Sequence, residues 1–183
     1  MIHASETLLL KNGTRCTVRS AAPEDAARVI RYMKIMLGET PFLLRTPEEF
    51  DYTEEGEAAV LARRRDEPRG VMLVAEAEGG EIVAVCDVMP LGGRSRTQHR
   101  ANLSMSVRKD HWHLGLGSAL MERLIAHAVQ AGFEQIELEV VAANRRAVSL
   151  YLKYGFQVYG TRLHGIKYGD GSYANDYLMY KPL

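Results

Sequence analysis

Residues 100–142 constrain this chain more than any other stretch. A strand read at Arg100–Val107 passes through a loop into Gly115-Leu116-Gly117-Ser118, which opens a helix over 115–131. Leu116, Ala119, Leu120, Leu124 and Ala128 fall on one face of that helix, and Gly132 stops it. A second strand follows at once over 135–142, where Ile136, Leu138 and Val140 alternate with Gln135, Glu137 and Glu139. Glycines between a strand and a helix let the backbone approach a ligand closely and leave amide N–H groups pointing outward. With the positive end of the helix dipole, those groups make an anion site. An ordinary tight turn is the competing reading of the same glycines. No Gly-Lys-Ser/Thr follows, so this is not a Walker loop. Leu120 stands where a dinucleotide fingerprint needs its third glycine, and no acidic strand end follows about twenty residues on.

The rest of the chain reads as one domain, residues 1–183, with no repeat, linker or low-complexity segment. A short strand over 16–19 leads to a helix opened by Ser20, with Pro23, Glu24 and Asp25 at its start and Val29, Ile30, Met33 and Leu37 on its apolar face. Thr46-Pro47-Glu48-Glu49 signals a second helix running towards Arg65. Strands over 70–76 and 82–89 flank Gly79-Gly80 as a hairpin, and a flexible turn at 92–96 precedes Arg100. A short helix over 144–154 ends at Gly155. Strands over 156–166 and 173–180 are joined at Gly169-Asp170-Gly171. The order β-α-α-β-β-β-α-β-α-β-β predicts an α/β (α+β) fold, a mixed sheet with helices on its faces.

Charge and cysteine content narrow the function classes. Lys plus Arg and Asp plus Glu both number 23, which disfavours a nucleic-acid partner, since these show as a basic excess. Cys16 and Cys86 are too few for a disulfide scaffold and read as buried free thiols in a reducing compartment. Glu6 and Lys11 flank the short apolar run 8–10, unlike a signal peptide, and no stretch approaches the ~20 apolar residues of a membrane span. The expectation is a cytoplasmic protein without a membrane partner.

The motifs downstream of the glycines carry a resemblance. Leu138-Glu139-Val140, Asn144, Ala147, Leu150-Tyr151 and Gly155-Phe156, with Ser106-Val107 and Gly115-Leu116-Gly117 before them, are spaced like the signature of the GNAT acyl-CoA N-acyltransferase superfamily. The match covers about 103–156, and the central motifs resemble those of ribosomal-protein alanine N-acetyltransferases. The resemblance implies a GNAT fold: a mostly antiparallel sheet whose fourth and fifth predicted strands splay into a V, with acetyl-CoA as co-substrate in the gap. It implies that the backbone of His113, Leu114, Gly115, Leu116, Gly117 and Ser118 cradles the pyrophosphate. Met105, Ser106 and Val107 would pair main-chain groups with the pantetheine arm, and Asn144 and Ala147 would hold the arm at the short helix. The sequence departs from the pattern at the loop's start, where Trp112 and His113 replace the usual Gln or Arg and glycine.

Acyl transfer to an amine needs a deprotonated amine, a polarised thioester and a proton for the leaving thiolate. By resemblance, Tyr151 protonates the CoA sulfur, against the alternative of a packing tyrosine. Glu139 matches the glutamate that acts as general base through water, against the alternative of a solvated carboxylate beside Glu137. Another branch of the family carries its base where this chain has Asn102, whose amide cannot take a proton. His99 is a third candidate, with an unperturbed pKa near ~6.5. His111 and His113 near Asp110 lack a third ligand at a regular spacing, so no metal is expected.

The acceptor is expected to be a primary amine on a small molecule or a peptide N-terminus. Its pocket would be built from the first two helices, the 92–96 turn and the 164–173 hairpin. The C-terminal segment resembles bacterial acetyltransferases of mostly unassigned substrate, and the family's exposed last strands leave room for a homodimer. The alternative function is a CoA-binding sensor or assembly subunit without turnover, against which Tyr151 argues.

Overall fold

The computed structural model describes residues 3–183. Among these residues, eight strands form one sheet in the order β1-β2-β3-β4-β5-β6-β8-β7. The strands are β1 (Glu6–Leu9), β2 (Arg15–Ser20), β3 (Val71–Ala77), β4 (Ile82–Pro90), β5 (Arg100–Val107), β6 (Gln135–Val141), β7 (Gln157–Lys167) and β8 (Tyr173–Pro182). Helices α1 (Ala26–Glu39) and α2 (Glu54–Arg65) cover one face of the sheet, and α3 (Leu116–Gln130) and α4 (Arg145–Lys153) the other. Every strand pair is antiparallel except β5–β6.

Each helix buries the stripe its spacing dictates. On α3, Leu116, Leu120, Met121, Leu124 and Ala128 are wholly buried, and Gly132 at φ 73 ends the run. On α1, Ala26, Val29, Ile30, Met36 and Leu37 pack down, with Tyr32 at 1% exposure among them. Among the described residues, no helix is long and apolar enough to cross a membrane.

Three elements differ from the sequence expectation. Ser20, expected to open the first helix, ends β2 in register with Leu73 of β3, and α1 begins only at Ala26 after the 3-10 turn Pro23–Asp25. The capping residues at Thr46–Glu49 close only the 3-10 turn Pro47–Glu49, and Phe50 leaves helical geometry. The helix proper starts at Thr53, whose hydroxyl accepts from the Gly56 N–H at 3.1 Å. The apolar run 8–10, too short to signal an element, overlaps the edge strand β1, Glu6–Leu9. Glu6 of β1 is tied to Arg123 of α3 at 2.9 Å (Nη2–Oε2), and Leu10 is buried behind it.

The pairing of β5 with β6 positions everything that follows. It runs only through Arg100↔Gln135, Ala101↔Ile136 and Asn102↔Glu137. Beyond that point the strands separate, leaving the expected V open from Leu103 and Leu138 onward.

Candidate active site

Strand register decides which main-chain groups the V exposes. In an antiparallel ladder, successive residues turn their N–H and C=O alternately to the two sides. The Arg108 N–H bonds Val83 O at 2.9 Å and the Leu91 N–H bonds Arg100 O at 3.0 Å, so the even-numbered residues of β5 face β4. Met105 and Val107 therefore turn theirs towards the gap. On β6 the Ala142 N–H bonds Asn175 O at 2.8 Å, so even-numbered residues face β8 and Glu139 faces the gap. Ser106, grouped with its neighbours on sequence grounds, differs. Its main chain lies opposite Val85 of β4, and its hydroxyl accepts from Tyr32 at 2.8 Å. The Val107 carbonyl is already met by the Trp112 indole N–H at 2.6 Å.

The loop between β5 and α3 meets the cleft at the helix N-terminus. Gly115 caps α3 at φ 90, a conformation glycine adopts without steric cost. The Ala119 N–H closes the first turn on Gly115 O, which leaves the N–H groups of Leu116, Gly117 and Ser118 without helical partners. His113 takes φ 63, so the glycine usual at this position is replaced by a residue held in the left-handed region. A Cβ at Gly117 would sit 3.4 Å from Leu150 and 3.9 Å from Met105, so bareness here keeps α3 close to α4 and β5.

These features line one cleft of about 520 Å³. Met105, Ser106, Val107, His113, Gly115, Gly117, Ser118, Glu139, Asn144, Ala147 and Tyr151 all border it. Leu114 and Leu116 do not. Leu116 is fully buried beneath α3, and Leu114 packs on the core while its carbonyl accepts from the Lys11 N–H at 3.1 Å. Only their backbone is available to a ligand. The Asn144 side-chain oxygen accepts from the Ala147 N–H at 3.2 Å as the cap of α4, leaving its NH2 end for other bonds.

The two residues expected to do chemistry have opposite environments. Tyr151 is 7% exposed, its ring tilted on Phe156 at 5.7 Å, and burial pushes its hydroxyl up to about 12. It stays protonated at neutral pH. Glu139 is exposed and holds Arg162 of β7 through two bonds at 2.6 and 2.7 Å. That guanidinium, against a smaller opposing effect of burial, lowers its pKa and weakens it as a base.

His99 does not reach the cleft. It precedes β5 at the end opposite Val107, about 26 Å of extended strand away, and borders a separate recess with Arg69, Ser95 and Glu134. The 92–96 turn lies at that same far end, so it does not build the cleft. What replaces it is the segment after α1, where Thr40, Phe42, Leu43 and Leu44 join Met36 and Ile166. Among the described residues, no three His, Cys, Asp or Glu side chains gather as a metal site.

Sequence reasoning missed Lys11, Arg146 and Asp176, all on the cleft wall. Arg146 stacks on Trp112 with its guanidinium carbon 3.0 Å from the ring centroid, which explains why the loop tolerates a tryptophan there. Asp176 left one faint signal: an aspartate inside an aromatic and apolar strand, where it is disfavoured.

Comparison with known proteins agrees with the geometry. The family model "Acetyltransferase (GNAT) family" matches residues 38–156. A mycothiol acetyltransferase of Propionibacterium freudenreichii subsp. shermanii is 33% identical over 63% of this chain, which spans 36% of that protein. A crystal structure of a GNAT-family acetyltransferase from Streptococcus pneumoniae superposes with a TM-score of 0.86 at 28% identity, over 92% of this chain and 99% of the other. The protein yncA of Salmonella typhimurium, solved with its cofactor acetyl-CoA, shares the fold at a TM-score of 0.78 and 21% identity, over 92% and 94% of the two chains. With the splayed sheet, the glycine-capped helix and the matched residues in agreement, this chain belongs to the GNAT acetyltransferase family.

Proposed function

We propose that the chain transfers an acetyl group from acetyl-CoA to a primary amine by direct attack on the thioester. The observation that carries this reading is the break in β5–β6 pairing after Asn102 and Glu137. Main-chain groups of Met105 and Glu139 and the N–H of Val107 line the break, suited to the amides of a pantetheine arm. The free N–H groups of Leu116, Gly117 and Ser118 lie at its end, suited to a pyrophosphate. Lys11 borders the same loop and adds a positive charge.

The residues support a division of labour. Main-chain groups bind and orient the cofactor, which supplies the thioester. Tyr151, buried and protonated, gives its hydroxyl proton to the departing thiolate and regains one from the amine nitrogen once the C–N bond has formed. Glu139 and Arg162 form the polar rim on the acceptor side. A CoA-binding protein without turnover would have no use for a buried, unionised tyrosine at this place. The exposed Val158, Tyr159 and Leu163 of the edge strand β7 support pairing of two copies along that edge.

The test is thiol release from acetyl-CoA across a panel of primary amines. Amine-dependent thiol release with matching acetylated product is the expected result. Tight acetyl-CoA binding with no turnover for any amine would overturn it.

A further inference from the structure

Strand β8 places a second carboxylate on the face of the sheet that carries Glu139. Asp176 pairs with Val141 of β6 and with Arg162 of β7, so all these side chains lie on the acceptor side. Asp176 is 4% exposed and borders the cleft. Of the other buried carboxylates, Asp25, Asp87 and Glu137 each accept a hydrogen bond from an arginine, while Glu57 of α2 is buried away from the cleft. Asp176 accepts none from the described residues. The guanidinium nearest it, Arg162, forms a long ion pair at 3.6 Å and directs its two short hydrogen bonds to Glu139 instead.

The chain is bent beside this carboxylate. Strand β7 shifts register between Arg162 and Ile166, and His164 within that bulge takes φ 54. Gly165 faces Asp176 so closely that a Cβ there would fall 2.0 Å from Oδ2. Bulges of this kind re-aim side chains beside active sites, and a non-glycine residue in the left-handed region stores strain. A buried carboxylate without a hydrogen-bond donor also costs stability, which a long ion pair offsets only in part. A cation arriving from outside would offset that cost.

Resting on the acetyl-transfer reading, we propose that Asp176 grips the ammonium of the acceptor and takes its proton, and that the acceptor is a primary amine with an apolar body. The apolar body follows from Met36, Phe42, Leu43, Leu44 and Ile166, which line the same cleft as the carboxylate. Burial pushes the Asp176 pKa up, Arg162 opposes it, and Glu139 across the sheet adds to it. That makes Asp176 a better base than Glu139. The ammonium gives one proton to Asp176, which passes it to solvent. The freed nitrogen lone pair forms the C–N bond to the thioester carbon, the C–S bond breaks, and the second nitrogen proton reaches the thiolate by way of Tyr151. The sum is an amide, a thiol and one released proton.

Asp176→Asn keeps the shape and removes the charge. With hexylamine and phenethylamine as probes, kcat/KM near neutral pH should fall roughly 10²-fold. Acetyl-CoA affinity by calorimetry should be unchanged, and the wild-type acidic limb should vanish. Thermal stability should change little, because the desolvation cost that is relieved opposes the loss of the long ion pair with Arg162. Asp176→Ser is the second variant, with the same loss expected. Wild-type-like rates in either variant with the acidic limb intact would overturn the assignment while leaving acetyl transfer standing. Turnover of putrescine or glycine at the expense of the apolar amines would overturn the acceptor class. A wild-type protein that binds acetyl-CoA and acetylates no amine would overturn the underlying reading instead.

Discussion

Two aspartates of nearly equal burial occupy opposite circumstances. Asp25 sits at the start of α1 with 1% exposure, and Asp176 sits in the cleft with 4%. Asp25 accepts from Arg19 at 2.7 and 2.8 Å, from the Ala22 N–H at 2.9 Å, and from Arg28, and both arginines also hold Glu76. Burial alone would raise its pKa, but these bonds and charges win and lower it. At Asp176 burial wins. The contrast shows how to read a buried charge: fully partnered, it fastens β2, α1 and β3 together; left open beside a cleft, it reserves its capacity for something that arrives.

The largest expected effect lies on the partnered side. Asp25→Ala would leave Arg19 and Arg28 without their carboxylate and should cost about 3–5 kcal/mol in urea unfolding. Acetyl transfer per folded molecule should be unaltered. The pH dependence has a definite sign. A carboxylate whose folded pKa is lowered contributes stability above its unfolded value near ~3.9, and that stability disappears as pH falls through the folded pKa. Asp25→Asn should therefore flatten the acid side of the stability curve. An unchanged acid side would break the comparison.

Tyr151→Phe comes next. It deletes a hydroxyl that burial holds protonated and keeps the ring on Phe156. kcat should drop roughly 10²-fold with acetyl-CoA affinity and melting temperature nearly unchanged. A drop of less than about threefold would make the residue a packing tyrosine.

The smallest effect separates Glu139 from Asp176. In Glu139→Gln, Arg162 is released and can close the 3.6 Å to Asp176, lowering its pKa. Rates should fall by about tenfold, the order of one pKa unit, and the double variant with Arg162→Gln should recover most of the loss. Stability should barely move, because the pair is exposed. If the double variant stays as slow as Glu139→Gln alone, Glu139 is itself the base.

The legible parts of this molecule were those with local signals. Gly115, Gly132 and Gly155 mark the ends of helices by their positive φ, and the apolar spacing of α3 returns as its buried face. The break between β5 and β6 was legible only through the family resemblance, since no local pattern says where a parallel ladder stops. Strand alternation separates Ser106 from Met105 and Val107, and that depends on β4 register, which the sequence does not display. Thr46 and Thr53 carry equally good capping chemistry; the helix begins at the second because Phe50 leaves helical geometry and sits against Tyr52 with ring centroids 5.0 Å apart. Asp176 escaped notice because its meaning lies in absent partners, a property of packing across three strands.

Amide hydrogen exchange with and without acetyl-CoA tests the central claim most directly. The account places the cofactor along the unpaired edge of β5 and the first turn of α3. Met105, Val107, Leu116, Gly117 and Ser118 should gain protection in proportion to occupancy, while the amides around Asp25 stay as they were. Protection spread evenly over the sheet, or absent from Met105 and Val107 at saturating acetyl-CoA, would contradict it.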